Sequence, residues 1–180
     1  MKNGEFHQLD TSRLKLRRFC LEDAPVFFAR LGGSEAVTRH MLWQTHLELG
    51  QSEQSVRKAM QQPYCWAITL AESDELIGRI DLLSFDEVKG SCSFAYMIGA
   101  DFWNRGYGTE AVTAVFDFAF RELAMACIEA DHFADNPASG AVMQKAGMTR
   151  CAIVLGKYEK NGIAHDAVQY VITKEEWENR

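Results

Sequence analysis

Two glycines placed immediately before a strongly patterned helical segment constrain this chain more than any other feature of its sequence. Gly106 and Gly108 precede apolar residues that recur at near-helical spacing up to about Arg121, which predicts an amphipathic helix. The first N–H groups of a helix have no intrahelical partner, and the helix dipole adds partial positive charge there. The glycine turn therefore predicts an anion site suited to a pyrophosphate, to which Arg105 adds its charge. The same Gly-x-Gly spacing also occurs in turns that bind no ligand.

The composition indicates one globular domain, residues 1–180, with 47% hydrophobic and 24% charged content. A net charge of −6 without a dense basic run argues against nucleic acid as a partner and fits either solubility or a cationic substrate. The five cysteines lie far apart and form no Cys-x-x-Cys pair, which indicates reduced thiols and no zinc site. No apolar run reaches the length of a signal peptide or a membrane span, so we expect a cytoplasmic protein.

Hydrophobic periodicity and turn residues predict an α/β fold with about seven strands in one mixed, mostly antiparallel sheet flanked by helices. Strands are predicted at 14–17, 64–70, 76–85, 91–98, 127–133, 148–155 and 167–172. Helices are predicted from 21 to 32, after Ser52 as the cap, from the glycine turn to about 121, from 137 to just before 147, and at 174–180. The stretch from Gly156 to Asp166 is predicted to be a polar loop. Short links predict an antiparallel meander over the middle strands, and the central crossover helix predicts a parallel pair.

A dinucleotide-binding fold is a competing interpretation of the glycine turn. The segment Gly106–Ala111 satisfies a relaxed Rossmann fingerprint, and Asp131 follows at about the distance of a ribose-binding acid. However, that fingerprint should leave a buried strand directly, whereas Gly99–Arg105 intervenes here, and the flanking strands look antiparallel. The context therefore disfavours a Rossmann fold.

Several segments resemble the GNAT acetyltransferase family in both order and spacing. Trp103–Gly108 is similar to the family's acetyl-CoA loop, Gln/Arg-x-x-Gly-x-Gly/Ala, with Trp in the first position. The other similar segments are Thr11–Arg17, Ile77–Ile80, Asn136–Ser139 with Lys145–Met148, and Glu175–Trp177. The resemblance covers nearly the whole chain and is greatest to the branch named after ribosomal-protein N-terminal acetyltransferases (RimJ/RimL type). It implies the GNAT fold, in which splayed central strands admit the pantetheine arm between the strand ending near Ile98 and the strand beginning at Cys127.

The resemblance also implies the cofactor site. Acetyl-CoA is the expected co-substrate, and no metal is expected. A backbone N–H near Met97 or Ile98 is expected to contact the oxyanion, and Asn136 to bond the pantetheine amide. The residues expected to bind the cofactor are Met97, Ile98, Arg105, Gly106, Tyr107, Gly108, Thr109, Asn136 and Ser139.

The expected proton donor to the departing thiolate is Ser139, because the position at which many family members carry a Tyr is Met143 here. Asn136 and Ser139 also suit a helix start purely as caps. Tyr96 is placed near the thioester by the resemblance and is the second candidate catalytic residue, although aromatic residues on inner strands usually belong to the core. His132 could titrate near neutrality, but a lone strand His is more often structural.

The general base is not identified by the sequence. Family members often carry Glu on the strand before the loop, and the matching position here is Ser93. Asp81, Glu87 and Glu35 are alternatives that also suit solvated surface charge, and a water chain could deprotonate the amine instead.

The predicted function is transfer of an acetyl group from acetyl-CoA to a primary amine by direct attack in a ternary complex, because no Ser, Cys or His has the spacing of a nucleophile with its base. The acceptor is either a protein N-terminus or a small-molecule amine. The alternative is a CoA-sensing module without catalysis, which Met143 and Ser93 motivate. Pairing through edge strands, common in the family, would give a homodimer.

Overall fold

The computed structural model describes residues 5–180. Eight strands form the sheet flanked by helices. The strands are β1 Leu9–Asp10, β2 Leu14–Arg17, β3 Cys65–Leu70, β4 Leu76–Asp86, β5 Ser91–Ile98, β6 Cys127–Phe133, β7 Thr149–Lys160 and β8 Ile163–Thr173. The α-helices are α1 Ala24–Phe27, α2 Glu35–Thr38, α3 Leu49–Met60, α4 Tyr107–Arg121, α5 Pro137–Lys145 and α6 Lys174–Glu178. Short 3₁₀ segments at Leu21–Asp23 and Ala100–Phe102, and a π-helical turn at Phe28–Gly32, complete the list.

The sheet is mixed, as predicted. Its strand order is β1-β2-β3-β4-β5-β6-β8-β7. The pairs β1–β2, β2–β3, β3–β4, β6–β8 and β7–β8 are antiparallel, whereas β5 and β6 are parallel. The parallel pairing joins Ser91–Ser93 to Cys127–Glu129, and both strands continue beyond these residues. The crossover between them contains α4, which confirms the predicted parallel pair.

The chain divides into two compact units, and the first comprises the residues up to Asp81 together with Tyr96–Ala114. Its core packs α1, the π-helical turn and α3 against the inner face of β3. The core side chains include Phe19, Phe27, Leu31, Val56 and Ala67. Each is almost completely buried, and Phe27, Leu31 and Val56 lie on the apolar faces of their helical segments.

The second unit comprises Leu82–Ala95 and Val115–Arg180. An aromatic cluster stabilises it: Phe116 on α4 packs edge-on against Phe94 on β5 and against Trp177 on α6. Thr173 caps α6, since its hydroxyl accepts from the N–H of Glu176, and the Glu176 carboxylate accepts from the N–H of Thr173. The single domain expected from the sequence stays a prediction.

Two local predictions were wrong. The stretch from Gly156 to Asp166 is not a loop, because β7 and β8 continue through it to a tight turn at Asn161 and Gly162, both with positive φ. Helix α3 begins at Leu49, so Ser52 lies inside it and does not cap it. The two-residue strand β1, at the edge of the sheet, adds an eighth strand. Within residues 5–180, no helix combines the length and apolar character needed to span a membrane.

Candidate functional site

The glycine turn has the backbone geometry of a helix start that leaves its donors available. Gly106 has a φ of +82°, in the left-handed region that favours glycine, and its carbonyl accepts the first intrahelical hydrogen bond, from the N–H of Glu110 at 3.0 Å. The N–H groups of Tyr107, Gly108 and Thr109 precede that bond in α4 and therefore have no partner within the helix. The turn thus presents consecutive donors at the positive end of the helix dipole.

Two arginines flank this turn. Arg105 is exposed, and its guanidinium lies 5.7 Å from the centre of the Phe102 ring without a carboxylate partner in the described part of the chain. Arg13, from the segment before β2, donates to the Arg105 carbonyl oxygen at 3.0 Å and lies over the Tyr107 ring at 4.7 Å. The sequence identified Arg105, but it gave no sign that Arg13, 92 residues earlier, would reach the turn.

Glu110 holds the segment before β2 against the first turn of α4. Its carboxylate accepts from the Thr11 hydroxyl at 2.6 Å, from the Arg13 backbone N–H at 3.0 Å and from Arg13 Nε at 2.7 Å. Burial alone raises the pKa of this carboxyl, but the hydrogen bonds from Thr11 and Arg13 outweigh it, so the pKa of Glu110 is lowered. Glu110 is therefore charged at neutral pH.

The end of β5 carries the three residues that the resemblance placed near the thioester. Tyr96 is half-buried, and Met97 and Ile98 are buried. The Met97 carbonyl approaches Gly78 of β4 so closely that a Cβ at Gly78 would lie 2.5 Å from its oxygen. Because the C=O and N–H of one trans peptide point in opposite directions, the N–H of Ile98 points away from β4. The Ile98 carbonyl accepts from Trp103 Nε1 at 2.7 Å, which ties the loop to this strand.

Asn136 and Ser139 lie in the second unit, at the start of α5. Asn136 Oδ1 accepts from the N–H of Ser139 at 3.4 Å, so Asn136 caps the helix, and Pro137 occupies the first turn as predicted. The Asn136 amide N–H groups and the Ser139 hydroxyl have no hydrogen-bond partner within residues 5–180, and both residues are half-buried. Met143 is 2% exposed and belongs to the core.

His132 is less satisfied than a structural histidine usually is. Its Nδ1 lies 2.7 Å from the Phe133 carbonyl oxygen, which only accepts, so Nδ1 carries the proton. The other nitrogen, Nε2, is buried without a partner among the described residues. It lies above Gly140 of α5, where a Cβ would be 2.7 Å from Nε2 and 3.0 Å from the Tyr170 hydroxyl. Gly140 is required here because it lets the ring pack directly on the helix.

The candidate bases differ in their surroundings. Both oxygens of Asp81 accept from Arg79, at 2.8 Å each, and the carboxylate is 5% exposed, so it is committed to that ion pair. Glu35 and Glu87 are exposed, in the first turn of α2 and in the turn after β4. Ser93 is half-buried on β5 opposite Glu129 of β6. None of these contacts marks one of them as the base.

One serine–histidine pair was missed by the sequence analysis. Ser52 Oγ and His46 Nδ1 lie 2.7 Å apart, a distance that suits a nucleophile with its base. Ser52 is completely buried against Gly32, however, so it cannot reach a substrate. Cys65 and Cys92 are not activated thiols either, because burial raises the pKa of Cys65 and raises that of Cys92 to about 12.

The turn fits a phosphorylated group. It combines free helix donors, a glycine whose Cβ would lie 3.3 Å from Arg13 Nη2, and the unpaired charge of Arg105. The Rossmann interpretation is excluded, because a 3₁₀ segment precedes the turn and Asp131 is paired with Lys157. Among residues 5–180, no cluster of three His, Cys, Asp or Glu side chains could hold a metal ion.

Comparison with known proteins agrees with this geometry. Residues 13–149 match the family described as Acetyltransferase (GNAT) domain. The chain is 28% identical over 182 residues to the uncharacterized N-acetyltransferase YoaA of Bacillus subtilis (strain 168), covering 94% of this chain and 98% of YoaA.

Two solved structures from Vibrio cholerae share the fold. One is a proposed ribosomal-protein-serine acetyltransferase, with a TM-score of 0.82 at 21% identity over 93% of this chain and 97% of that one. The other is spermidine N-acetyltransferase in complex with CoA and spermine, with a TM-score of 0.80 at 17% identity. The match covers 94% of this chain and 100% of that one.

The mixed eight-stranded sheet, its parallel central pair and the glycine turn opening the crossover helix define an N-acyltransferase of the acyl-CoA-dependent class. The chain belongs to the GNAT acetyltransferase family. It is an acetyl-CoA-dependent enzyme of that family.

Proposed function

We propose that the enzyme transfers an acetyl group to a primary amine by direct attack of the amine on the thioester of acetyl-CoA in a ternary complex. The observation that carries this proposal is the helix start at Gly106, whose free donors and neighbouring arginines suit the diphosphate of the co-substrate. Acetyl-CoA supplies the activated acyl group, and the protein binds it, orients it and stabilises the charge that develops.

Residues of the glycine turn bind the diphosphate in this proposal. The backbone N–H groups of Gly106, Tyr107, Gly108 and Thr109 donate to its oxygens, and the exposed Arg105 guanidinium adds an unpaired positive charge. Glycine at 106 suits this role because its φ of +82° is unfavourable for other residues and leaves the backbone accessible.

For the oxyanion we favour the N–H of Ile98 over that of Met97. The Met97 carbonyl faces Gly78, so the N–H of Ile98 is directed to the opposite side of β5. A fixed backbone donor costs no reorganisation when the tetrahedral oxyanion forms. Tyr96, half-buried on the same strand, is proposed to polarise the thioester.

Asn136 and Ser139 are proposed to contact the pantetheine arm and the thiolate, respectively. Capping of α5 uses Asn136 Oδ1 but leaves its amide N–H groups available to donate. The Ser139 hydroxyl is likewise available, and it replaces the tyrosine that Met143 does not supply. The proton lost by the amine is proposed to pass to water, because Asp81 is held by Arg79 and no contact marks Glu35 or Glu87 as the base.

The acceptor is a primary amine, either a protein N-terminus or a small molecule. Resemblance to the RimJ/RimL branch and the fold shared with the proposed ribosomal-protein-serine acetyltransferase support the first. The fold shared with spermidine N-acetyltransferase and the net charge of −6 support a cationic amine. We further propose a cytoplasmic protein, since all five cysteines are free, and a homodimer formed through the edge strand β7, which exposes Ile153 and Leu155.

Calorimetric titration with acetyl-CoA tests the proposed site. Gly106→Asp places a negative side chain at the diphosphate position and should abolish binding. Gly50→Asp is the matched control, because Gly50 lies in α3 with nothing within 4 Å of its would-be Cβ, and it should bind as the wild type does. Equal affinity of all three proteins would refute the proposal.

Turnover tests the chemistry separately. Release of CoA in the presence of a mixed library of peptides and amines, with products identified by mass, should reveal the acceptor. Ser139→Ala should lower kcat with little change in the affinity for acetyl-CoA, because the hydroxyl acts on the leaving thiolate. Binding without turnover on any amine would favour the CoA-sensing alternative.

A further inference from the structure

The segment before β2 is joined to the first turn of α4 by one carboxylate. Glu110 is 16% exposed in its side chain and receives five donors from three consecutive residues. They are the hydroxyls of Thr11 and Ser12, the backbone N–H of Arg13, and two guanidinium nitrogens of Arg13. The guanidinium of Arg13 is therefore held in one orientation.

The same guanidinium reaches three consecutive residues of the glycine turn. Its Nη1 donates to the Arg105 carbonyl oxygen at 3.0 Å, its Nη2 lies 3.3 Å from the position of a Cβ on Gly106, and its carbon lies 4.7 Å above the ring of Tyr107. One side chain thus contacts Arg105 and Tyr107 and lies beside Gly106 between them.

The turn needs such support because its backbone is unusual. Asn104 and Gly106 both adopt positive φ, +60° and +82°, on either side of Arg105. Short segments in which positive and negative φ alternate have few local hydrogen bonds to stabilise them. Other backbone conformations of the segment are therefore close in free energy.

A hydrogen bond to the Arg105 carbonyl also determines the direction of the next donor. The C=O of Arg105 and the N–H of Gly106 belong to one planar trans peptide and point in opposite directions. Because Arg13 holds the carbonyl on its own side, the N–H of Gly106 is directed away from Arg13.

We propose that Arg13 is a positioning residue for co-substrate binding: anchored by Glu110, it fixes the Arg105–Gly106 peptide so that the Gly106 N–H is oriented before acetyl-CoA arrives. This inference rests on the proposed function of the turn. A turn that is already ordered loses less conformational entropy on binding, so the affinity is higher than the same contacts would give from a mobile turn.

The two arginines then have different roles. The charge of Arg13 is compensated by Glu110, whereas Arg105 has no carboxylate partner in the described part of the chain. Arg13 is expected to act through geometry and Arg105 through charge. The Arg13–Glu110 pair carries no net charge, so removal of both charges together leaves the salt dependence of binding unchanged, whereas removal of Arg105 reduces it. The two roles are therefore separable by experiment.

The test begins without ligand. In Arg13→Ala, the ¹⁵N order parameters of Gly106 and Tyr107 should fall from about 0.85, typical of rigid backbone, to about 0.6 or below. Arg121→Ala is the matched control, since Arg121 forms an exposed ion pair with Asp117 on the same helix and should leave the order parameters of the turn unchanged. Glu110→Gln should lower them as well, to a smaller extent, because it weakens the anchor but keeps its shape.

Calorimetry then supplies the functional readout. Arg13→Ala should bind acetyl-CoA about tenfold more weakly, and Arg13→Lys should recover only part of the loss because a lysine lacks the planar fork. The double variant Arg13→Ala/Glu110→Gln removes both charges of the pair and should bind as weakly as Arg13→Ala, with the wild-type slope of affinity against salt. Unchanged order parameters of the turn in Arg13→Ala would overturn the proposal, and so would a reduced salt slope in the double variant. If the wild type fails to bind acetyl-CoA, the proposed function fails, while the order parameters still decide whether Arg13 orders the turn.

Discussion

The starts of α4 and α5 differ in whether the helix itself provides partners for its first backbone N–H groups. Helix α5 satisfies its first turn internally, since Asn136 accepts from the N–H of Ser139 and Pro137 has no N–H to satisfy. Helix α4 follows Gly106, which has no side chain with which to cap the helix, and two arginines lie beside the turn instead. A helix start without its own cap is therefore a better indication of an anion site than the glycine motif alone.

The difference extends to what each helix start packs against. Gly140 in α5 is needed for packing against His132 and Tyr170. Gly106 before α4 is needed for its backbone conformation, and among the described residues a Cβ there would meet the guanidinium of Arg13 alone. Gly140 therefore contributes to stability, whereas Gly106, in our proposal, contributes to binding.

The largest effect is expected at Gly140. Gly140→Ala forces the buried ring of His132 or the Tyr170 hydroxyl to move, and we expect a loss of about 2 kcal/mol in the free energy of unfolding. Gly50→Ala, in open space on α3, should instead gain roughly 0.5 to 1 kcal/mol from helix propensity. Urea denaturation measures both, and equal stability of the two variants would show that the contacts above Gly140 are unimportant.

Removal of the unpaired charge at α4 should affect binding rather than stability. Arg105→Ala should weaken acetyl-CoA binding by about tenfold, as expected for one charge-assisted contact, and should reduce the salt dependence of the affinity. Its melting temperature should match that of the wild type because the side chain is exposed. An unaltered dissociation constant at low salt would show that Arg105 does not contact the ligand.

The cap of α5 should contribute a smaller amount. Asn136→Ala should lower the free energy of unfolding by about 0.5 to 1 kcal/mol, at the low end for a cap because the hydrogen bond is long. Asn136→Asp keeps an acceptor and should restore stability, but it lacks the amide donor proposed for pantetheine. If Asn136→Asp binds acetyl-CoA as tightly as the wild type, Asn136 is a cap and nothing more.

Acid should affect the two helix starts differently. The pKa of Glu110 is lowered in the folded state, where burial is outweighed by bonds from Thr11 and Arg13. Its contribution to stability is therefore present above the unfolded pKa, about 4.3, and is lost as the pH falls through the lower folded value. As the pH falls below about 4, the ¹⁵N order parameters of Gly106 and Tyr107 should decrease more than those at the start of α5. Glu110→Gln should abolish that difference.

Local sequence patterns predicted the elements that have one buried face. The bounds of β6, the end of α4 and the start of α5 follow from periodicity and from Asn136 and Pro137. The hairpin of β7 and β8 was missed between 156 and 166 because both faces are largely exposed there, so no alternation of apolar and polar residues marks the strands.

Contacts between distant residues could not be predicted. The approach of Arg13 to the turn depends on Glu110, 97 residues away in sequence, and neither residue carries a pattern that links them. The pairing of Ser52 with His46 could not be predicted for a different reason: the sequence pattern predicts Ser52 as a cap, whereas the helix begins three residues earlier. The family resemblance supplied the candidate residues, whereas the structure supplied which donors are free.

The central claim is that unsatisfied backbone donors at the start of α4 bind the diphosphate of acetyl-CoA. A titration followed by ¹H–¹⁵N NMR tests it directly, because each amide reports separately. We predict that the amides of Gly106, Tyr107, Gly108 and Thr109 show the largest downfield shifts and saturate together with the calorimetric binding curve. Saturation of binding with no change at these four amides would contradict the account.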